Sequence, residues 1–421
     1  MKRSGRNIHR KDVGTVWEDH SLLNGMNRPA FVKTGMLLPV IVFFALLFPG
    51  MVVLGATDLY AFPDTPEAHV SPSGRFMILY HTDGVHAVFA GDESGSGIPD
   101  YVESAAQYAD STWNYLVGHL GFADPVMPGN GPYNIILEKR GDSIFGETVV
   151  NAGGQSTRTY VHPTFEGFPG NLDAEGSRYG SLKVTIAHEL KHASQFAGTG
   201  WQGDAGNIHW MELDAVMAEN LVFPDVKDYY RHLNSVNSIF RDPKISVPVY
   251  PWQVTWMMYW AERMGPEFMA GIWHRLASGE MMTDAIRNSL AGAGLSWREE
   301  VTRNYLWHLA SGAYASGADG FSDRFDYPTP VPSPVTGLLS RIDGAQFNYR
   351  PLSAGFHKVV PAESDTGDVI LFVMASDSLT GVGVYGYRDA GPLAGANSVS
   401  DEWLPGGSLP PADGYAGGLA G

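Results

Sequence analysis

The sequence predicts an α+β fold, in which a mixed sheet and one long helix carry the chemistry, a mostly helical part follows, and a small β-domain lies near the end. Three observations predict it. Strand-like runs at residues 75–81 (RFMILYH), 133–138 (YNIILE) and 157–165 (TRTYVHPTF) stand ahead of the long helix, separated by glycine-rich loops and one helical stretch. Beyond residue 212 the apolar spacing is helical almost to residue 315, with glycines in or near the breaks. A proline-rich stretch, YPTPVPSPV at 327–335, then separates this from two further β-like runs.

The long helix is centred on residues 184–195, VTIAHELKHASQ. On a helix His188 and His192 lie about 6 Å of rise apart on one face, so both imidazoles can reach one metal ion. Glu189 flanks the open side, where its carboxylate can move a proton. This is the H-E-x-x-H spacing of zinc hydrolases, and it makes the expected fold zincin-like. The metzincin continuation is absent, since Gln195 and Gly198 occupy the places of its glycine and third histidine. Glu212 follows His192 with nineteen residues between and is the expected third ligand, on a second helix facing the first. His209, Asp214 and Glu219 remain alternatives for that place. Glu219, two turns beyond Glu212 on the same face, is placed to orient a ligand.

Composition narrows the rest. The 421 residues carry a formal charge of −17, and there are no cysteines, so neither disulfides nor thiolate metal sites are available. Seven of the 28 Lys and Arg, but three of the 45 acids, fall in residues 1–56, which leaves a formal −21 on the remainder. Nucleic acid is not an expected partner of such a surface. Residues 35–56 are a run of 22 mostly apolar residues behind a basic leader, read as an export signal or an N-terminal membrane anchor. Either device delivers the remainder outside the cytoplasm, and membrane association is expected only through residues 35–56 if they are not cleaved. The domain plan is therefore a leader at 1–56, a catalytic domain at 57–326, a linker at 327–336, a β-domain at 337–391 and a disordered tail at 392–421.

Between the first two strands lies GDESGSGIPDYVE. Counted from Asp92, it places Ser94, Ser96, the Ile98 carbonyl, Asp100 and Glu103 at the 3, 5, 7, 9 and 12 positions of a calcium loop, with Gly97 at position 6. Calcium is expected there, opposed by the plainer reading of a Gly/Ser turn leading into a helix begun by Pro99. That helix should run over 99–120, with Val102, Ala106, Ala109, Trp113, Leu116 and Leu120 on its packed face. In zincin folds the strand ahead of the catalytic helix is a sheet edge that pairs with an extended substrate, so likeness to them makes the strand at 157–165 the expected substrate-binding edge; His162 on it is read as structural. In VPVYPW, Tyr250 is a candidate donor to the oxyanion of a tetrahedral intermediate, with His232 and His274 as rivals.

Three motifs in order, GSGIPDYVE, VTIAHELKHASQF and MELDAVMAENLVFPDVKDYY, carry a resemblance over residues 76–265 to exported bacterial metallopeptidases of the gluzincin type. The resemblance implies His188, His192 and Glu212 as zinc ligands, Glu189 as the base, and a C-terminal β-domain. Leu213 departs from the small residue usual after the glutamate, and Lys191 from a position that is often aromatic. The sequence thus leads to the expectation of an exported zinc metallopeptidase acting on a peptide or protein substrate, with a metal-binding scaffold of the same fold as the alternative.

Overall fold

Phe76, Ile78 and Tyr80 are buried while Met77 and Leu79 between them are half-buried. That alternation belongs to a strand with one face on a core. The computed structural model describes residues 66–129, 131–315, 319–335 and 350–359. Five strands form one mixed sheet in the order β1-β2-β3-β5-β4. They are β1 Glu67–Val70, β2 Phe76–Tyr80, β3 Tyr133–Leu137, β4 Gly146–Val150 and β5 Thr157–Val161. β2, β3 and β5 run parallel, and the outer strands β1 and β4 pair antiparallel.

Parallel neighbours require a crossover, and α1 (Asp100–Trp113) supplies it between β2 and β3. Its Val102, Ala105, Ala106 and Ala109 are fully buried against Phe76, Ile78, Tyr133 and Ile135 of the sheet. The regular helix ends seven residues short of the expected Leu120; a wider π-helical turn, Asn114–His119, completes the stretch. Leu116 and Leu120 there belong to a second core.

The helix α2 (Ser177–Thr199) is buried at every position from Val184 to Gln195. Leu182, Ile186, Leu190 and Ala193 face the sheet core, and the opposite side packs on α3 (Ile208–Val222). Gly200, at φ 59°, closes α2 in the left-handed conformation that glycine adopts most readily. After the short α4 (Tyr230–Leu233), the helical spacing beyond residue 212 is realised as α5 (Val254–Met264), α6 (Glu267–Ala277), α7 (Met282–Gly292) and α8 (Trp297–Leu309). With α3 they enclose the second core, which holds Leu213, Met217, Trp256, Trp260 and Ile286. Mixed α/β architecture is therefore as read from the sequence.

Two expectations change. β5 is not a sheet edge, because β4 covers its outer side. The edge next to α2 is β4, whose five residues GETVV carry too little apolar pattern to stand out in the sequence. The proline-rich stretch is docked over its first part rather than standing clear as a spacer. Tyr327 is buried in the helical core, and Val331 N–H donates to the Phe240 carbonyl. Further on, Leu352 O accepts from Val247 N and from the Tyr305 hydroxyl, and Phe356 is buried. Residues 333–335 and 357–359 form β6 (Ser333–Val335) and β7 (His357–Val359), a parallel pair. The leader at 1–56, most of the expected β-domain and the tail at 392–421 lie outside the described residues. Among the described helices none is long and apolar enough to cross a membrane.

Candidate metal centre

Four residues of separation on α2 bring the His188 and His192 rings to 4.7 Å between centroids. Their Nε2 atoms are 3.0 Å apart. Across from them α3 presents Glu212, with Oε2 at 3.2 Å from His188 Nε2 and Oε1 at 3.4 Å from His192 Nε2. All three residues are at most 2% exposed. Among the described residues this is the group of three metal-binding side chains whose ligand atoms lie within 4.8 Å of one another. A tetrahedral ion with bonds of about 2.0–2.1 Å would set its ligands roughly 3.3–3.4 Å apart, close to the spacings here.

The hydrogen bonds behind the rings test whether these residues suit a cation. His188 Nδ1 lies 2.6 Å from Glu219 Oε1, and His192 Nδ1 lies 2.8 Å from Gln195 Oε1. Both partners are acceptors, so each Nδ1 carries the hydrogen. Neutral rings then turn two bare Nε2 lone pairs toward each other and toward a carboxylate. Glu212 Oε1 itself makes no hydrogen bond. Only a positive centre relieves that arrangement. In the bare chain a proton fills the role: burial pulls the His188 pKa down, but the bonds to Glu212 and Glu219 outweigh it and carry it up to about 10. Burial likewise raises Glu212, yet His192 and His188 hold it at about 2. A metal ion at this point would take the proton's place. His188, His192 and Glu212 thus fit a metal ion, and the third-ligand alternatives are placed elsewhere. Glu219 backs His188, Asp214 pairs with Lys191, and His209 is exposed, accepting from the Tyr250 N–H at 3.2 Å.

Glu189 flanks the group. Burial pushes its carboxyl up to about 7 against the pull of His188 and His192. Its Oε2 accepts from Thr148 Oγ1 at 2.8 Å, and the same hydroxyl lies 2.9 Å from the Glu189 carbonyl. Thr148 sits on β4, so the edge strand runs beside Glu189. The ladder to β5 closes with His162 N donating to Phe145 O at one end and Asn151 N to Ser156 O at the other. Antiparallel bonding alternates, so Gly146, Thr148 and Val150 turn their own N–H and C=O groups to the unpaired side. Tyr250 is half-buried, and its phenol is raised well above the ordinary range, first by burial and then by Glu212 and Glu219. Of its rivals, His232 accepts from Arg231 Nε, and His274 lines a small cavity with Phe122 and Trp273 beside Lys191.

Sequence reading missed Gly146, Thr148 and the part played by Gln195. GETVV carries no chemical signature, and Gln195 entered only as the residue that excludes a metzincin. Its spacing of three from His192 was the available signal.

The calcium-loop residues are brought together in part. Ser94 Oγ lies 3.1 Å from Asp92 Oδ1 and 3.2 Å from Glu103 Oε2. Asp92 also accepts from the Ser96 and Gly97 N–H groups, Asp100 caps those of Glu93 and Ser94, and Ser96 Oγ meets the Ile98 carbonyl at 3.3 Å. The loop closes on its own donors, and Asp92, Asp100 and Glu103 do not gather as the histidine pair and Glu212 do. His162 is structural, its Nδ1 accepting from the N–H groups of Thr164 and Phe165.

A scan against protein-family models and a search of curated proteins return no match for this chain.

Proposed function

We propose that this protein is an exported zinc metallopeptidase of the gluzincin type. The observation that carries the reading is the convergence of His188, His192 and Glu212 on one point, with the Glu189 carboxylate beside it and the unpaired edge of β4 alongside. Two imidazoles and one carboxylate are a donor set that suits zinc. Zinc held there supplies a Lewis acid for a peptide carbonyl and acidifies water.

The chain's own residues would do the remaining work. Glu189 takes a proton from the attacking water and hands it to the leaving amine, with Thr148 fixing its position. Tyr250 donates its phenolic hydrogen to the oxygen that gains negative charge. An extended peptide pairs with the outward groups of Gly146, Thr148 and Val150, adding a strand to the sheet. Glu219 holds the His188 ring in its ligating tautomer.

A second reading, a metal-binding scaffold with little catalysis, draws support from the near-complete burial of all three ligands. Mutation separates the two. Glu189→Gln should keep stoichiometric zinc and lose hydrolysis of an unfolded protein substrate, while Glu212→Ala should lose zinc as well. Wild-type protein that holds zinc but cleaves nothing in a broad peptide library would favour the scaffold.

A further inference from the structure

We propose that Gln195, locked by a buried Lys191–Asp214 ion pair, is the positioning residue that prepares His192 for the metal. The inference rests on the reading of His188, His192 and Glu212 as a metal site. Lys191 on α2 and Asp214 on α3 are both fully buried, with Nζ and Oδ2 2.6 Å apart. The ammonium also lies 3.5 Å from the centre of the Phe122 ring and 4.9 Å from that of Trp273, so aromatic faces take up charge that water cannot reach. The pair ties together the two helices that supply the ligands.

Its effect passes through one amide. Gln195 Nε2 lies 2.8 Å from Asp214 Oδ2 and 3.1 Å from the Met211 carbonyl. Neither oxygen has a hydrogen to give: Met211 O is a backbone carbonyl, and Lys191, which has only donors, keeps Asp214 Oδ2 an acceptor. The NH2 group of Gln195 must therefore face them, and Oε1 must face His192 Nδ1 at 2.8 Å. That places the hydrogen on Nδ1 and leaves the Nε2 lone pair toward Glu212 and His188. Reversing the amide would set its oxygen against two acceptors. Lysine, aspartate, glutamine and histidine thus form a directed chain that ends on a ligating atom.

The test compares wild type, Gln195→Met, and Lys191→Met combined with Asp214→Leu. The double variant removes both buried charges together and leaves Gln195 Nε2 the Met211 carbonyl as its acceptor. Histidine tautomers are read by 15N NMR in the metal-free protein, zinc affinity by competition with a chelator, and fold by circular dichroism. Gln195→Met should keep the fold, show a mixed His192 tautomer and bind zinc about 10- to 100-fold more weakly. The double variant should keep the fold and give a His192 tautomer mixture and a zinc affinity between those of wild type and Gln195→Met. Wild-type affinity and tautomer in a folded Gln195→Met would overturn the inference, as would a folded double variant that matches wild type in both. A wild type that takes up no zinc would instead overturn the metal reading itself.

Discussion

Gly146 has no room for a side chain. A Cβ there would stand 2.6 Å from Thr185 Cγ2 and 2.8 Å from Glu189 Cγ, so β4 can approach α2 only through a glycine. The approach is what lets Thr148, two residues on, reach the Glu189 carboxylate. Gly146→Ala should therefore push Glu189 aside while leaving His188, His192 and Glu212 in place. A displacement of about 1 Å at a catalytic group costs on the order of 100-fold in rate. We expect zinc content unchanged in Gly146→Ala and hydrolysis reduced by about that factor, checked by metal analysis and kinetics on the same preparation. Loss of zinc together with activity would mean that the whole centre had shifted.

At the scale of elements, the antiparallel pairing of β4 decides which backbone groups are available to a partner. Val150 directs its N–H away from β5, so Val150→Pro removes a donor from the open side without breaking the ladder. If an extended peptide pairs with β4, this variant should fold, bind zinc as wild type does and raise KM for an unfolded protein substrate several-fold, by about one hydrogen bond. An unchanged KM in the folded variant would place the substrate elsewhere. The same element shows the cost of reading strands one at a time. The run at 157–165 looked like an edge, but whether a strand is an edge depends on what pairs beside it, and here the neighbour is a strand of five residues.

The described residues are built as two cores that meet on α2. One lies between α2 and the sheet, the other among α3 and α5–α8. The second core is pinned by buried polar groups as well as by its tryptophans. His308 is fully buried, its Nδ1 donating to the Asn304 carbonyl and its Nε2 accepting from the Thr255 hydroxyl, each at 2.8 Å. Burial pulls its pKa from the ordinary 6.5 down to about 3. The folded chain thus refuses a proton that the unfolded chain accepts. Stability from this group is complete above pH 6.5 and is lost progressively as the pH falls toward 3. By pH 5 the loss amounts to roughly 2 kcal/mol. Denaturant midpoints should accordingly fall between pH 7 and 5, and the fall should be shallower in His308→Gln; an equal slope in both proteins would assign the acid sensitivity to other groups.

Much of the centre was legible in the sequence because its spacing is local. His188, Glu189 and His192 share one helical turn, and Glu219 lies two turns beyond Glu212 on another helix, so 3.6-residue geometry alone places each set on a face. The helices α5–α8 were legible for the same reason, as apolar periodicity with glycine at the breaks. Choosing Glu212 over His209, Asp214 and Glu219 needed the packing of α3 on α2, and so did the absorption of Leu213 into the helical core. Gly146, Thr148 and Gln195 acquire their roles only through neighbours far away in the chain or through the direction of a hydrogen bond. Strand order, the sheet edge and the docking of Tyr327 are likewise properties of which surfaces meet. Sequence spacing determined which residues could share a metal ion, and tertiary packing decided what holds them there, because the orienting contacts come from surfaces that no local period encodes.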